Sequence, residues 1–179
     1  MKSKFLLLFL LLTVIACKDK ASTQENEEQN TTEVTDNSFK VQLNIIVKKN
    51  NDFCLLYTEN ESLNFNDGVW KGVKGMENEQ TVEFSLPKDV FPSQLRFDLG
   101  KSPDQDDMVI KSIKFQYAGN EREIKGAELG IFFRPDPSKC TFDSSTGVIK
   151  GLVKNGKKEI PSLYPNEAIL AAELPKLAK

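Results

Sequence analysis

Apolar and polar residues alternate along several short segments of this chain, and this alternation restricts the fold more than any other feature. In the clearest segment, Phe39, Val41, Leu43, Ile45 and Val47 alternate with mostly polar residues. A period of two places every second side chain on the same side of an extended strand. We therefore expect sheets in which one face is buried and the other meets solvent.

The alternating segments recur at the spacing of an all-β domain, with turn residues between them. The predicted strands cover residues 39–47, 53–58, 69–71, 81–86, 95–99, 109–117, 121–124, 141–142 and 148–153. The polar turn at residues 49–52 predicts that the first two strands form a hairpin. Residues 126–133 and 166–174 favour one or two short helices towards the C-terminus. The pattern predicts a mainly β protein, an antiparallel β-sandwich with jelly-roll-like connectivity.

The first 17 residues, MKSKFLLLFLLLTVIAC, combine two lysines, a short apolar run and a small residue before Cys17. This order is that of a secretory signal, and it resembles a bacterial lipoprotein signal. The resemblance implies that residues 1–16 are removed and that Cys17 carries the lipid (acyl chains such as palmitate). The protein is then expected to be anchored in the cell envelope, in the outer membrane, facing the periplasm or the outside.

Residues 17–38 follow as a predicted flexible tether that begins at the lipidated cysteine. The segment is acidic and has no aromatic residue, so it lacks the apolar surface that a folded core requires. Lys18, Asp19 and Lys20 resemble a surface-export signal of some Gram-negative bacteria, although plain solubility explains them equally well. Residues 39–179 remain as the sandwich domain.

The charge and composition of the domain exclude some partners and narrow the chemistry. The net charge of −2 includes +2 from the first four residues and −4 from residues 18–38, which leaves residues 39–179 neutral. A neutral domain lacks the basic surface that nucleic-acid binding requires. The chain has no histidine, the usual general base near neutral pH, so we expect a protein that is not an enzyme.

Two cysteines remain in the domain, Cys54 and Cys140. An extracytoplasmic location permits a disulfide between them. Cys54 lies within an apolar strand pattern, which is typical of a buried thiol. Both alternatives stay open, and two buried thiols are the preferred one.

The segment from residue 81 to residue 117 carries the most distinctive pattern, with LRFDLG at residues 95–100 and VIKSI at residues 109–113. It resembles the jelly-roll carbohydrate-binding modules of glycan-using Gram-negative bacteria. The resemblance implies a sandwich fold and a glycan ligand. Arg96 and Asp98 share one strand face, where they form either a surface ion pair or a polar pair that holds sugar hydroxyls.

Trp70 is the only tryptophan, and it lies in a polar stretch that also contains Asn66 and Asp67. Sugar rings stack on aromatic side chains while their hydroxyls meet polar neighbours, so these three residues are candidate ligand contacts. The alternative is a tryptophan that packs at the edge of the core.

Asp104, Asp106 and Asp107 concentrate carboxylates in one loop. Closely spaced oxygen ligands suit Ca²⁺, and modules of the family that this segment resembles often carry a structural calcium ion, so we expect no cofactor other than a possible calcium ion here. A solvated acidic loop is the alternative, since the spacing is not that of an EF-hand.

These features together predict a lipid-anchored envelope lipoprotein whose non-catalytic sandwich binds a glycan or an envelope protein. Two alternatives remain at this point. One is a structural or protein-interaction lipoprotein without a sugar ligand, and the other is a small glycoside-active enzyme that uses carboxylates.

Overall fold

A computed structural model describes residues 37–179 of the 179-residue chain. The predicted signal segment, the lipidation site Cys17 and nearly all of the predicted tether lie outside the described residues. The predicted domain boundary at residue 39 is close to the start of the first strand.

Strands make up most of the regular structure of residues 37–179, and two short α-helices lie in its second half. The strands are β1 (Lys40–Val47), β2 (Asn51–Thr58), β3 (Asp67–Val73), β4 (Met76–Ser85), β5 (Gln94–Asp98), β6 (Met108–Tyr117), β7 (Asn120–Lys125), β8 (Phe133–Pro135), β9 (Cys140–Asp143), β10 (Val148–Gly151), β11 (Val153–Lys154), β12 (Lys157–Lys158) and β13 (Ser162–Pro165). The helices are α1 (Leu129–Phe132) and α2 (Glu167–Glu173).

Eleven of the strands form two antiparallel sheets that pack face to face, so the predicted antiparallel β-sandwich is confirmed, and β11 and β12 form a separate two-stranded sheet. A six-stranded sheet has the order β4-β1-β6-β10-β9, with β7 also paired to β6, and a five-stranded sheet has the order β3-β2-β5-β13-β8. The chain crosses between the sheets from β1 to β2, and again at each step from β3 to β6. This repeated crossing places consecutive strands on opposite sides of one core.

The predicted hairpin between the first two strands is wrong. β1 pairs with β4 and β6 in the six-stranded sheet, whereas β2 pairs with β3 and β5 in the other sheet. Alternation identifies each strand but not its partner, because a strand with one apolar face fits equally well in either sheet. Strands β6 and β7 do form a hairpin, with Tyr117 opposite Asn120.

Aromatic side chains join the two sheets across the core. Phe84 of β4 meets Phe97 of β5 edge to face, with ring centroids 6.2 Å apart, and Phe115 of β6 lies 6.5 Å from Phe133 of β8. All four rings are fully buried. Burying one such side chain contributes about 1.5–3 kcal/mol, so these residues hold the sheets in a fixed relation.

The second helix closes one side of the sandwich with Leu170, which is fully buried. Asn166 occupies the N-cap position of this helix, but its side chain does not cap it. The Asn166 Nδ2 instead donates hydrogen bonds to the carbonyl oxygens of Gly130 and Ile131, which ties α2 to α1. Cys54 and Cys140 are both buried and free, as the preferred alternative predicted.

Candidate functional site

The five-stranded sheet presents one face to the core and the other to solvent. Phe97 and Leu55 point inward, so Arg96, Asp98 and Cys54 point outward by alternation. We call this solvent-side surface the outer face. It consists of Gly68, Trp70 and Gly72 of β3, Cys54 and Leu56 of β2, Arg96 and Asp98 of β5, Tyr164 of β13 and Arg134 of β8.

Trp70 is the most prominent apolar residue of the outer face, and it is 51% exposed. Gly68 and Gly72 occupy the neighbouring outward positions of its own strand, so no side chain flanks the indole there. The Lys101 ammonium lies 3.9 Å from the centroid of the ring, a cation–π contact. The ring is therefore held in place while half of the residue remains accessible.

Trp70 of β3 and Asp98 of β5 lie on either side of Cys54, because both are register partners of this β2 residue. Two strand spacings amount to roughly 10 Å, so Trp70 and Asp98 lie on the same outer face with one strand between them. Both residues were predicted as ligand contacts from two separate segments of the sequence, and the fold places them on one surface.

Arg96 and Asp98 form a bidentate ion pair. Arg96 Nε lies 2.9 Å from Oδ1 of Asp98, and Arg96 Nη2 lies 2.9 Å from Oδ2. The two side chains are only 17% and 23% exposed. The ion pair is thus more buried than the surface ion pair that was one of the two interpretations of the sequence.

Tyr164 extends this polar cluster and was missed by the sequence reasoning. Its ring lies between the guanidinium groups of Arg96, 4.5 Å away, and Arg134, 5.6 Å away. Phe65 meets the same ring edge to face at 6.3 Å. Tyr164 belongs to a four-residue strand that ends in a proline, which hides its strand character in the sequence.

A cleft of about 600 Å³ opens where β2 begins and β3 ends, and it is connected to Trp70 through Lys101, which lines the cleft and contacts the indole. We call it the Lys101 cleft. It is lined by Asn50, Asn51, Asp52, Gly72, Val73, Lys74, Lys101 and Ser102. The Asn51 Oδ1 accepts hydrogen bonds from the backbone N–H of Lys101 (2.8 Å) and of Ser102 (3.2 Å), which fixes the loop that carries Lys101. No local motif reveals this cleft, because three separate segments form it.

Asn66 and Asp67 lie apart from Trp70, at the start of β3. They line a shallow pocket of about 230 Å³ together with Tyr57 and Asn60. Asp67 points to the opposite side of the strand from Trp70, since the two residues are three positions apart. The structure therefore does not bring these two candidates together with the indole.

The carboxylates of the acidic loop, which the sequence offered as possible calcium ligands, contact lysine side chains. The ammonium of Lys49 lies 2.7 Å from Asp104 and 3.5 Å from Asp106, while Asp107 contacts two other lysines. A hydrogen bond from Lys49 holds the pKa of Asp104 below its usual value. No group of three or more metal-ligating side chains converges within residues 37–179. The calcium site stays a prediction without support from these contacts.

Cys54 lies beneath the outer face with 1% of its surface exposed. Burial raises the pKa of its thiol to about 11, and the nearby Asp98 carboxylate adds to this rise. The thiolate is therefore scarce at neutral pH, and the buried thiol packs within the sheet.

The part of the chain that the structure covers contains no helix long and apolar enough to span a membrane. Comparisons with protein-family models, with curated proteins and with solved structures gave no match for this chain.

Proposed function

We infer that residues 39–179 are the non-catalytic binding module of a lipid-anchored cell-envelope lipoprotein, and that the module binds a glycan on its outer face. One observation carries this proposal. The half-exposed ring of Trp70 shares a sheet face with the ordered Arg96–Asp98 pair.

The chemistry of the outer face suits a sugar chain. An indole offers a flat apolar surface for the C–H face of a pyranose, and a fixed guanidinium–carboxylate pair offers both donors and acceptors for hydroxyls. Because Arg96 and Asp98 already hold each other, little side-chain entropy is lost on binding. Tyr164 continues the surface beyond Arg96, so an oligosaccharide rather than a single ring would cover it.

The electrostatics of the carboxylates favour binding over glycoside hydrolysis. A glycosidase requires a general acid whose pKa is raised. Among residues 37–179, each carboxyl group with a displaced pKa is displaced downward, by hydrogen bonds or by lysine and arginine partners. This is why we propose a binding module rather than the enzyme alternative.

Affinity gel electrophoresis with neutral and acidic polysaccharides tests the proposal. At least one polysaccharide should retard the protein, and Trp70→Ala should abolish the retardation. Val153→Ala is the matched control, because Val153 is also exposed but lies on the separate β11–β12 hairpin. If no polysaccharide retards the protein, or if Trp70→Ala is retarded like the wild type, the glycan proposal fails and the protein-interaction alternative takes its place.

The anchor is tested separately. Cys17→Ser should release the protein from the membrane fraction or leave an uncleaved precursor, because the thiol is the site of acylation. Lipid labelling that persists in this variant would refute the assignment.

A further inference from the structure

We propose that the glycan is acidic: the Lys101 cleft receives the carboxylate of a uronic-acid-type sugar whose ring stacks on Trp70. This inference rests on the proposed function and names the class of sugar that the same surface selects.

Lys101 supplies the first part of the argument. Its ammonium lies 3.9 Å from the centre of the Trp70 ring, and the nearest carboxylate oxygen, Oδ2 of Asp52, is also 3.9 Å away. That distance exceeds hydrogen-bond length. Within residues 37–179, no acceptor takes a hydrogen bond from this ammonium, so its donors are available above the face of the indole.

The cleft next to this ammonium supplies the second part. Lys74 also lines it, and none of the ion pairs within residues 37–179 involves the Lys74 ammonium. Asp52 is the only acidic residue in the lining. The cleft therefore holds more positive than negative charge in a domain whose net charge is zero.

The loop that carries Lys101 is held rigidly enough to recognise a ligand. The side chain of Asn51 accepts hydrogen bonds from two of its backbone N–H groups and donates one to the carbonyl oxygen of Ser102. A fixed backbone keeps the position from which the ammonium projects over the ring, so less ordering entropy is lost on binding.

A neutral sugar and an acidic sugar differ in how they meet this ammonium. A ring that stacks on Trp70 displaces part of the cation–π contact. A sugar hydroxyl replaces the lost cation–π contact with an ordinary hydrogen bond to the Lys101 ammonium. A sugar carboxylate replaces it with a charge-assisted hydrogen bond, which is roughly twice as strong. The geometry therefore favours a sugar with a carboxylate.

The test compares charged and esterified forms of the same polymers in 150 mM NaCl. Binding of the full-length protein is measured to polygalacturonate and alginate, each beside its neutral ester, with dextran sulfate as a probe for plain charge attraction. We expect one uronate polymer to bind about tenfold more tightly than its ester. Lys101→Ala should remove that preference while binding to the ester persists, and Lys74→Ala should weaken only the acidic form.

Lys111→Ala is the matched control, because this exposed lysine lies on the other sheet. Equal binding of the acidic polymer and its ester by the wild type would overturn the inference. A preference for the acidic polymer that survives in Lys101→Ala would overturn it as well, and both results would leave the proposed function intact. Dextran sulfate binding as tight as uronate binding, and indifferent to Trp70→Ala, would also overturn it. If no polymer of any charge binds, the proposed function itself fails.

Discussion

Trp70 on β3 and Cys54 on β2 lie directly opposite each other in the five-stranded sheet. The indole is 51% exposed, whereas the thiol is 1% exposed. A large ring thus stands beside a small buried residue on a face that turns towards solvent. The contrast indicates that Trp70 helps to cover the sheet while it keeps a surface for a ligand.

Removal of the indole should uncover the thiol. We expect Trp70→Ala to react with a thiol reagent at Cys54 several-fold faster than the wild type does, because less of the sheet is then covered. Peptide mapping by mass spectrometry after timed labelling separates Cys54 from the other cysteines. Trp70→Phe should retain most of the protection, and equal labelling rates in all three proteins would show that the ring does not cover the thiol.

Gly68 keeps the outer face flat beside Cys54. A methyl group at this position would lie 2.9 Å from the sulfur of Cys54 and 3.2 Å from the carbonyl oxygen of Leu55. Gly68→Ala should therefore lower the free energy of unfolding by about 1–3 kcal/mol in urea titrations. The loss should be smaller in a Cys54→Ala background, and strictly additive effects would contradict the predicted contact.

The Arg96–Asp98 pair should contribute to the stability of the domain as well as to the proposed ligand-binding surface. Asp98→Ala leaves the guanidinium of Arg96 largely buried and without its bidentate partner, so we expect a loss of about 2 kcal/mol in the free energy of unfolding. Arg96→Met combined with Asp98→Leu should recover part of it, because no unpaired charge remains. If Asp98→Ala unfolds at the wild-type urea concentration, the pair contributes nothing measurable.

Acid should destabilise the fold through its paired carboxylates. Burial alone would raise the pKa of Asp107, but hydrogen bonds and charge attraction from Lys150 and Lys158 outweigh it and hold this pKa below its ordinary value. Hydrogen bonds from Ser145 and Thr146 lower the pKa of Asp143. A carboxyl group whose pKa is lower in the folded state than in the unfolded state stabilises the fold at pH values above its unfolded pKa. This contribution to stability is lost as the pH falls through the pKa of the folded state.

The free energy of unfolding should therefore stay level between about pH 5 and 8 and fall below about pH 4. Urea unfolding at pH 7, 5 and 3 measures this profile. Asp107→Asn should show a smaller loss on acidification than the wild type, with Asp67→Asn as a surface control. An identical acid loss in Asp107→Asn and the wild type would exclude Asp107 as a source of the acid sensitivity.

The sequence predicted the strands well where one face is apolar over several residues. The pattern of residues 39–47 and that of residues 109–117 match β1 and β6 closely, because burial of alternate side chains determines both the pattern and the strand. Short strands next to proline, such as β13, carry no such pattern. Its residue Tyr164 was missed for that reason.

The candidate site was predicted only in part, because it depends on which strands pair. Arg96 and Asp98 are two residues apart on one strand, so their contact follows from local geometry. Their proximity to Trp70 requires that β2 lie between β3 and β5, which alternation alone does not specify. The Lys101 cleft depends on the same pairing and on the side chain of Asn51.

The sole tryptophan of the chain makes the central proposal directly measurable, since the intrinsic emission reports on Trp70 alone. An oligosaccharide released from a polysaccharide that retards the protein is titrated into the wild type while this emission is recorded. A sugar stacked on the indole should produce a saturable change in emission intensity and a shift to shorter wavelength. An oligosaccharide that binds by calorimetry but leaves the emission unchanged would contradict a ligand site at Trp70.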